Sequence, residues 1–312
     1  MSKRRRSQPP NRPSPAGSSD PDLPSLVELE RFSTASLHQW KMAAHRMEAL
    51  QRSLHFGLED QRQRAEGLLL ESMRLCSTSN FSAVGWSRIV DYRYSLDPLS
   101  TLGSITGIGG RFNLGAGLSP GVFTAFPALY CAEDYATAYL EKFGSPEVPH
   151  RNGLSGADLA LRTPGSFAQI RLNMKLESVL DISDHTTLKP MLEILRKFEM
   201  PKSVTQTARR LGLKRAPWLI RSSISLQKQL LHANWRAQPM QFDLPGNSQI
   251  FGRWVAAAGI HGILFPSTRD STRRCLALFP QNWGGSTSFV EIADAVPDGV
   301  RITRIDGQLL PS

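Results

Sequence analysis

Three textures follow one another along the chain. Up to about residue 25 apolar positions are sparse, and Pro, Ser, Arg and Asp dominate. Such a segment cannot bury enough apolar surface to offset its ordering entropy, so residues 1–25 predict a disordered basic tail. From 26 to 80 the apolar residues Leu26, Leu29, Trp40, Met47, Leu50 and Leu54 recur at intervals near three, four and seven. That spacing marks one face of a helix. "EDQRQRAEGLLLESMRL" continues with strong helix formers, and no proline interrupts after Pro24. Gly57 is expected to separate two helices of a hairpin packed on the following domain or on a partner. "NFSAVGWSR" breaks the pattern.

After Trp86 helical and strand patterns mix. "SRIVDYRYS" reads as a strand. "ALYCAED" is a short strand running into the helix "AEDYATAYLEKFG", with Gly144 as its C-terminal stop. In "AQIRLNMKLESVLDI", Ile170, Leu172, Met174 and Leu176 alternate with Gln169, Arg171, Asn173 and Lys175, which predicts a half-buried strand. "TTLKPMLEILRKF" predicts a helix. "HGILFPS" and "CLALFP" predict two apolar strands of a hairpin joined by "TRDSTRR". In "SVTQTARRLGL" the spacing of Ala208, Leu211 and Gly212 is like that of a helix-turn-helix, but a basic amphipathic helix inserted in the domain is the simpler reading. There is no internal repeat.

Composition narrows the classes. The 312 residues allow one large domain or two small ones, and 40% hydrophobic residues suffice for a core. No apolar run approaches the length of a membrane span, and none follows the basic N-terminus as in a secretory signal. Cys76, Cys131 and Cys275 lie far apart, which argues against a disulfide framework or a structural zinc and points to a cytoplasmic protein. The seven histidines are scattered, so no metal site is expected. A net charge of +10 favours anionic partners. "GSITGIGG" lacks the strand and helix context of a dinucleotide-binding Rossmann loop.

Candidate chemistry sits in four pieces: "DYRYS" with Arg93 and Tyr94, "GGRFN" with Arg111, "ALYCAEDYATAYLE" with Tyr130 and Glu141, and "GILFPS" with Ser267. Glu141 has the small residues Ala138 and Thr137 one turn earlier, which leave space above its carboxylate. Arginines grip phosphate with two-pronged hydrogen bonds and stay charged in a pocket. Glycines ahead of Arg111 let the backbone approach a ligand closely. Asn113 and Arg269 are further candidates with a structural alternative. Cys131, without a neighbouring histidine, reads as core.

In this order, and with the spacing from Tyr130 to Glu141, the pieces resemble the RES domain over residues 88 to 282. The resemblance implies an α+β fold, an ADP-ribosyltransferase-like split β-sheet core with flanking helices, preceded here by the helical N-terminal extension. It implies a catalytic domain over 88–312, with an insertion at about 195–240 and a longer gap between Arg111 and Tyr130 than the compact family pattern. It further implies destruction of NAD by hydrolysis or phosphorolysis, with NAD and inorganic phosphate as substrates and no bound cofactor. The typical partner is a separate antitoxin with a helix-turn-helix domain; nucleic acid would be met only weakly, a membrane not at all, and a homo-oligomer is open.

The roles that follow are expectations. Arg93 and Arg111 clamp phosphates; Tyr130 and Tyr94 line nicotinamide or its ribose; Glu141 supports the cationic ribose and orients the acceptor; Ser267 positions the nicotinamide half. Transfer of ADP-ribose to a macromolecule is an alternative use of the same pocket. A non-catalytic nucleic-acid-binding protein, resting on "KRRR" and "TARRLGLKR", is the alternative from another class.

Overall fold

The computed structural model describes residues 34–76, 78–119, 121–144, 167–213 and 219–308. The basic tail over 1–25 and the first residues of the helical extension lie outside these. The described residues form an α+β fold: two helices, then a mixed sheet with further helices on it.

The extension contributes α1 (Thr34–Arg64) and α2 (Glu66–Arg74). Helix α1 runs straight through Gly57, where a break was expected, and the chain turns at Ala65 instead. Gly57 serves close packing: a Cβ there would stand 2.6 Å from the Pro201 ring. Along α1, Leu50 is buried, while Trp40 remains 56% exposed. Leu50 packs on Val204 and Ala208, so "SVTQTARRLGL" is a basic amphipathic helix lying against α1.

Strand β1 (Thr78–Asp91) starts well before the expected strand and takes in the "NFSAVGWSR" segment. Next come β2 (Leu129–Ala132), α3 (Tyr135–Phe143) and β3 (Phe167–Asp181). The alternation expected for β3 holds, with Ile170, Leu172, Met174 and Leu176 buried. Four helices follow: α4 (Lys189–Leu195), α5 (Lys202–Arg210), α6 (Ser223–Leu230) and the short α7 (Ala237–Phe242). Helix α8 (Asn247–Ala257) leads into β4 (Gly262–Pro266) and β5 (Arg274–Leu278), the expected hairpin. Strands β6 (Phe289–Ile292) and β7 (Arg304–Asp306) extend the sheet.

The strand order is β1-β2-β5-β4-β3-β6-β7, and β1 also pairs with β3. β1 therefore serves both halves of the sheet: it runs along β3 and pairs with β2 at Ser87 opposite Ala132. The period of two divides the core between two faces. Ile263 and Phe265 of β4, with Cys275 and Ala277 of β5, face the helical side with Phe112, Phe251 and Trp254. Leu264, Leu276 and Leu278 face the other side with Trp86, Leu172 and Trp283. Leu69 and Met73 of α2 belong to the helical-side cluster, so the extension is part of the main core.

Candidate active site

The elements converge on a cleft of about 350 Å³, whose walls include Arg88, Tyr94, Arg111, Tyr130, Glu141 and Trp235. Glu141 comes from α3. Asp134 starts that helix by accepting a hydrogen bond from the Thr137 amide at 2.7 Å, and Gly144 ends it in the left-handed conformation at φ 79°. The carboxylate of Glu141 is fixed through Oε1. Ser267 Oγ donates to it at 2.6 Å and the Thr268 amide at 2.9 Å. Among the described residues no donor is bonded to its Oε2. Ser267 itself is 2% exposed, and its hydroxyl oxygen accepts from the amides of Arg269 and Asp270 at 3.2 Å. The "TRDSTRR" loop thus opens with a tight turn that aims one hydroxyl and one amide at Glu141.

Arg111 is delivered by the glycine-rich loop. Gly109 has φ 86°, and a Cβ on Gly110 would collide at 2.6 Å with both Asn113 Oδ1 and Tyr130 OH. The glycines let this loop fold tightly onto itself. Asn113, fully buried, accepts from the Gly110 amide at 3.0 Å and from Tyr130 OH at 2.9 Å, and donates to Ser104 O and Phe126 O. Gln249 of α8 donates through Nε2 to the carbonyls of Ile108, Gly110 and Asn113 at 2.8–3.1 Å. With its side-chain polar atoms spent on these partners, Asn113 is a structural residue, as is Cys131, which is 6% exposed with a thiol pushed by burial up to about 12.

The Arg111 guanidinium, 7% exposed, donates to His232 O at 2.9 Å and to Thr268 Oγ1 at 3.0 Å. Burial draws its pKa down to about 10, opposed by the negative charge of Glu141. It stays cationic near neutral pH. Tyr130 faces the cleft, and its phenol also receives the Phe112 amide at 2.9 Å. Burial raises its pKa, so it remains a neutral hydroxyl.

Arg93 stands elsewhere. The "DYRYS" segment is a turn of 3-10 helix after β1, not a strand, and Arg93 projects from it with its side chain 66% exposed, 3.6 Å from Asp91 and over the Tyr94 ring. It does not line the cleft, whereas Tyr94 does. The second arginine in the wall is Arg88, five residues earlier, which the sequence reading missed. It sits on β1 and donates to the carbonyls of Pro98, Ser100 and Tyr130, each at 2.9 Å. Burial draws its pKa down to about 10. The signal was there: an arginine one residue before the apolar pair Ile89 and Val90, within a strand. Trp235 and Arg236, from the region read as an insertion, also line the cleft; both Arg111 and Arg236 lie over the Trp235 ring, at 5.8 and 4.6 Å.

Chemically the arrangement offers one carboxylate of fixed orientation, buried cationic charge and aromatic walls, with Asp91 as the second carboxylate among the residues that line the cleft. No group of residues able to hold a metal ion occurs among the described residues.

The RES domain profile matches residues 86–297. No curated protein matches the chain in sequence. Among solved structures, the crystal structure of the M.tuberculosis MbcT-MbcA toxin-antitoxin complex is similar at 14% identity, with a TM-score of 0.41, over 76% of this chain and 91% of that one.

Proposed function

The chain belongs to the RES domain family, and from that premise we propose that it cleaves the bond between nicotinamide and ribose in NAD. The observation that carries this reading is Glu141, held through Oε1 by Ser267 and Thr268 in the same cleft as the buried guanidinium of Arg111.

NAD carries a pyridinium on a ribose joined to an anionic pyrophosphate. Nicotinamide departs with the bonding electron pair as a neutral molecule, so the reaction needs no general acid. A glycosidase with a poor leaving group uses a second carboxyl for that purpose. The ribose left behind develops oxocarbenium character, and the fixed carboxylate of Glu141 stabilises it from a preorganised position. Arg111 supplies charge for the pyrophosphate, and Tyr94 and Tyr130 wall the nicotinamide half. Ser267 acts through Glu141 and is a positioning residue. The acceptor completes the balance: water gives ADP-ribose and a proton, and inorganic phosphate gives ADP-ribose phosphorylated at the anomeric carbon.

Purified protein incubated with NAD, with and without phosphate, tests the reading by nicotinamide release. Turnover that Glu141→Gln abolishes supports it. An inactive wild type, or a fully active Glu141→Gln, overturns it. A cognate antitoxin belongs to the same proposal and is checked by co-purification of the chain with its natural neighbour.

A further inference from the structure

A second cavity, of about 220 Å³, lies beside the catalytic cleft and shares Trp235 with it. It is built where three parts of the chain meet: Gln51 of α1, Trp235, Gln238 and Phe242 around α7, and Asn247 and Ser248 at the start of α8. Its character differs from the cleft, because no arginine, lysine or carboxylate lines it. Amide side chains dominate, and each presents a donor and an acceptor together. Trp235 and Phe242 add aromatic surface.

Ser248 marks this cavity as unfinished. It is 1% exposed, and its hydroxyl finds no hydrogen-bond partner within the described residues. A buried hydroxyl without a partner is costly, so native structures rarely leave one unless water or a ligand completes it. The 11-residue helix α8 also points its N-terminus at the cavity, and Gln249 is turned away from it, spent on the three loop carbonyls and the Gly246 amide.

We propose that this cavity is a nucleobase subsite that takes the adenine of the dinucleotide whose nicotinamide end lies in the cleft. Paired donors and acceptors beside flat aromatic surface suit the edge and face of a purine, and the absence of charge suits a neutral ring. The cleft alone lies at the low end of the roughly 300–1,000 Å³ usual for small-molecule sites, while a dinucleotide has two nucleoside halves to seat. Trp235, common to both spaces and covered by Arg111 and Arg236, places cationic charge between them, where the pyrophosphate would run. The proposal rests on the NAD-cleaving reading, and it gives the helical extension a direct part in substrate binding through Gln51.

Calorimetry with adenosine 5′-monophosphate, on the full chain, reads the subsite without turnover. Binding is expected in the wild type and weakened about fivefold or more in Gln51→Ala and in Gln238→Ala, the loss of one ordinary hydrogen bond. Melting temperatures of the variants control for folding, and Gln51→Trp, which fills the cavity, should abolish binding. In turnover, adenosine 5′-monophosphate should compete with NAD, and the preference for NAD over nicotinamide mononucleotide should shrink by a similar factor in the two alanine variants. If the wild type cleaves NAD but binds no adenosine 5′-monophosphate, or binds it non-competitively or equally well in the variants, the subsite is overturned and the cleavage stands. If the nucleotide binds as expected but NAD is not cleaved, the base site stands and the enzymatic reading falls.

Discussion

Ser267 Oγ and Glu141 Oε1 meet at 2.6 Å, tying the end of β4 to α3 across 126 residues of sequence. The two members of this pair should not be equal in function. Glu141→Gln keeps the size but removes the charge that the proposed reaction requires, and is expected to lower kcat by about a hundredfold or more. Ser267→Ala leaves the Thr268 amide on the same oxygen, so a loss of about tenfold is expected, the scale of one hydrogen bond to a charged group. Steady-state nicotinamide release measures both. A Ser267→Ala defect as deep as that of Glu141→Gln would mean that the serine touches substrate itself.

The two arginines originally paired in the sequence reading should separate in experiment. Arg93 is a surface side chain, and Arg93→Ala should change KM for NAD by no more than about twofold. Arg111→Lys keeps the charge but cannot reproduce the fork that reaches His232 O and Thr268 Oγ1. It should raise KM about tenfold and lower the melting temperature as well, because buried carbonyls lose their donor. Michaelis constants alongside thermal melts distinguish the two positions.

The glycine-rich loop depends on α8 from outside. A Cβ on Gly252 would sit 2.0 Å from the Phe112 carbonyl oxygen, a backbone atom with no freedom to retreat. Gly252→Ala should cost about 3 kcal/mol of stability and displace Arg111 with the loop. Gln249→Ala, which strips one donor group from three carbonyls, should destabilise by a comparable amount. Urea denaturation reports both.

His55 makes folding sensitive to acid. It is 3% exposed between Phe56 and Phe123, and burial, reinforced by the nearby Arg62, draws its pKa down from 6.5 to about 4. The unfolded chain therefore takes up a proton near pH 6.5 that the folded chain refuses until about pH 4. The stabilisation is complete above pH 6.5 and is lost as pH falls through that window, a change of up to about 3 kcal/mol. Burial also raises the Glu59 carboxyl, but its hydrogen bond and attraction to Arg62 prevail and hold it below its usual range. Denaturation midpoints measured from pH 7 to 4 should fall less steeply in His55→Phe than in the wild type.

Elements with a clean period were legible in the sequence: the alternation in β3, the apolar β4–β5 hairpin and the capped helix α3 with Gly144 at its end. Glu141, Arg111, Tyr130 and Ser267 were picked out because each stands at the edge of an apolar element. What escaped were features that exist only in three dimensions. Gly57 looked like a helix break, yet it makes room for Pro201, 144 residues away in sequence by the difference of their numbers. Arg88 drew no notice within its strand, because its three carbonyl partners, on Pro98, Ser100 and Tyr130, are brought to it only by the fold. Trp235 and Arg236 lie in the turn before α7, within the segment read as an insertion, and no strand or helix pattern signals that they line the cleft.

Leu69 and Met73 of α2 share one apolar cluster with Ile263 and Phe265 of β4, the strand that Ser267 follows. The N-terminal helices are thus joined by packing to the strand that leads to Ser267, and cutting them away would open a hole in the core on that side of the sheet. A chain that begins after α2 should therefore lose cohesion in the sheet itself, not merely an appendage.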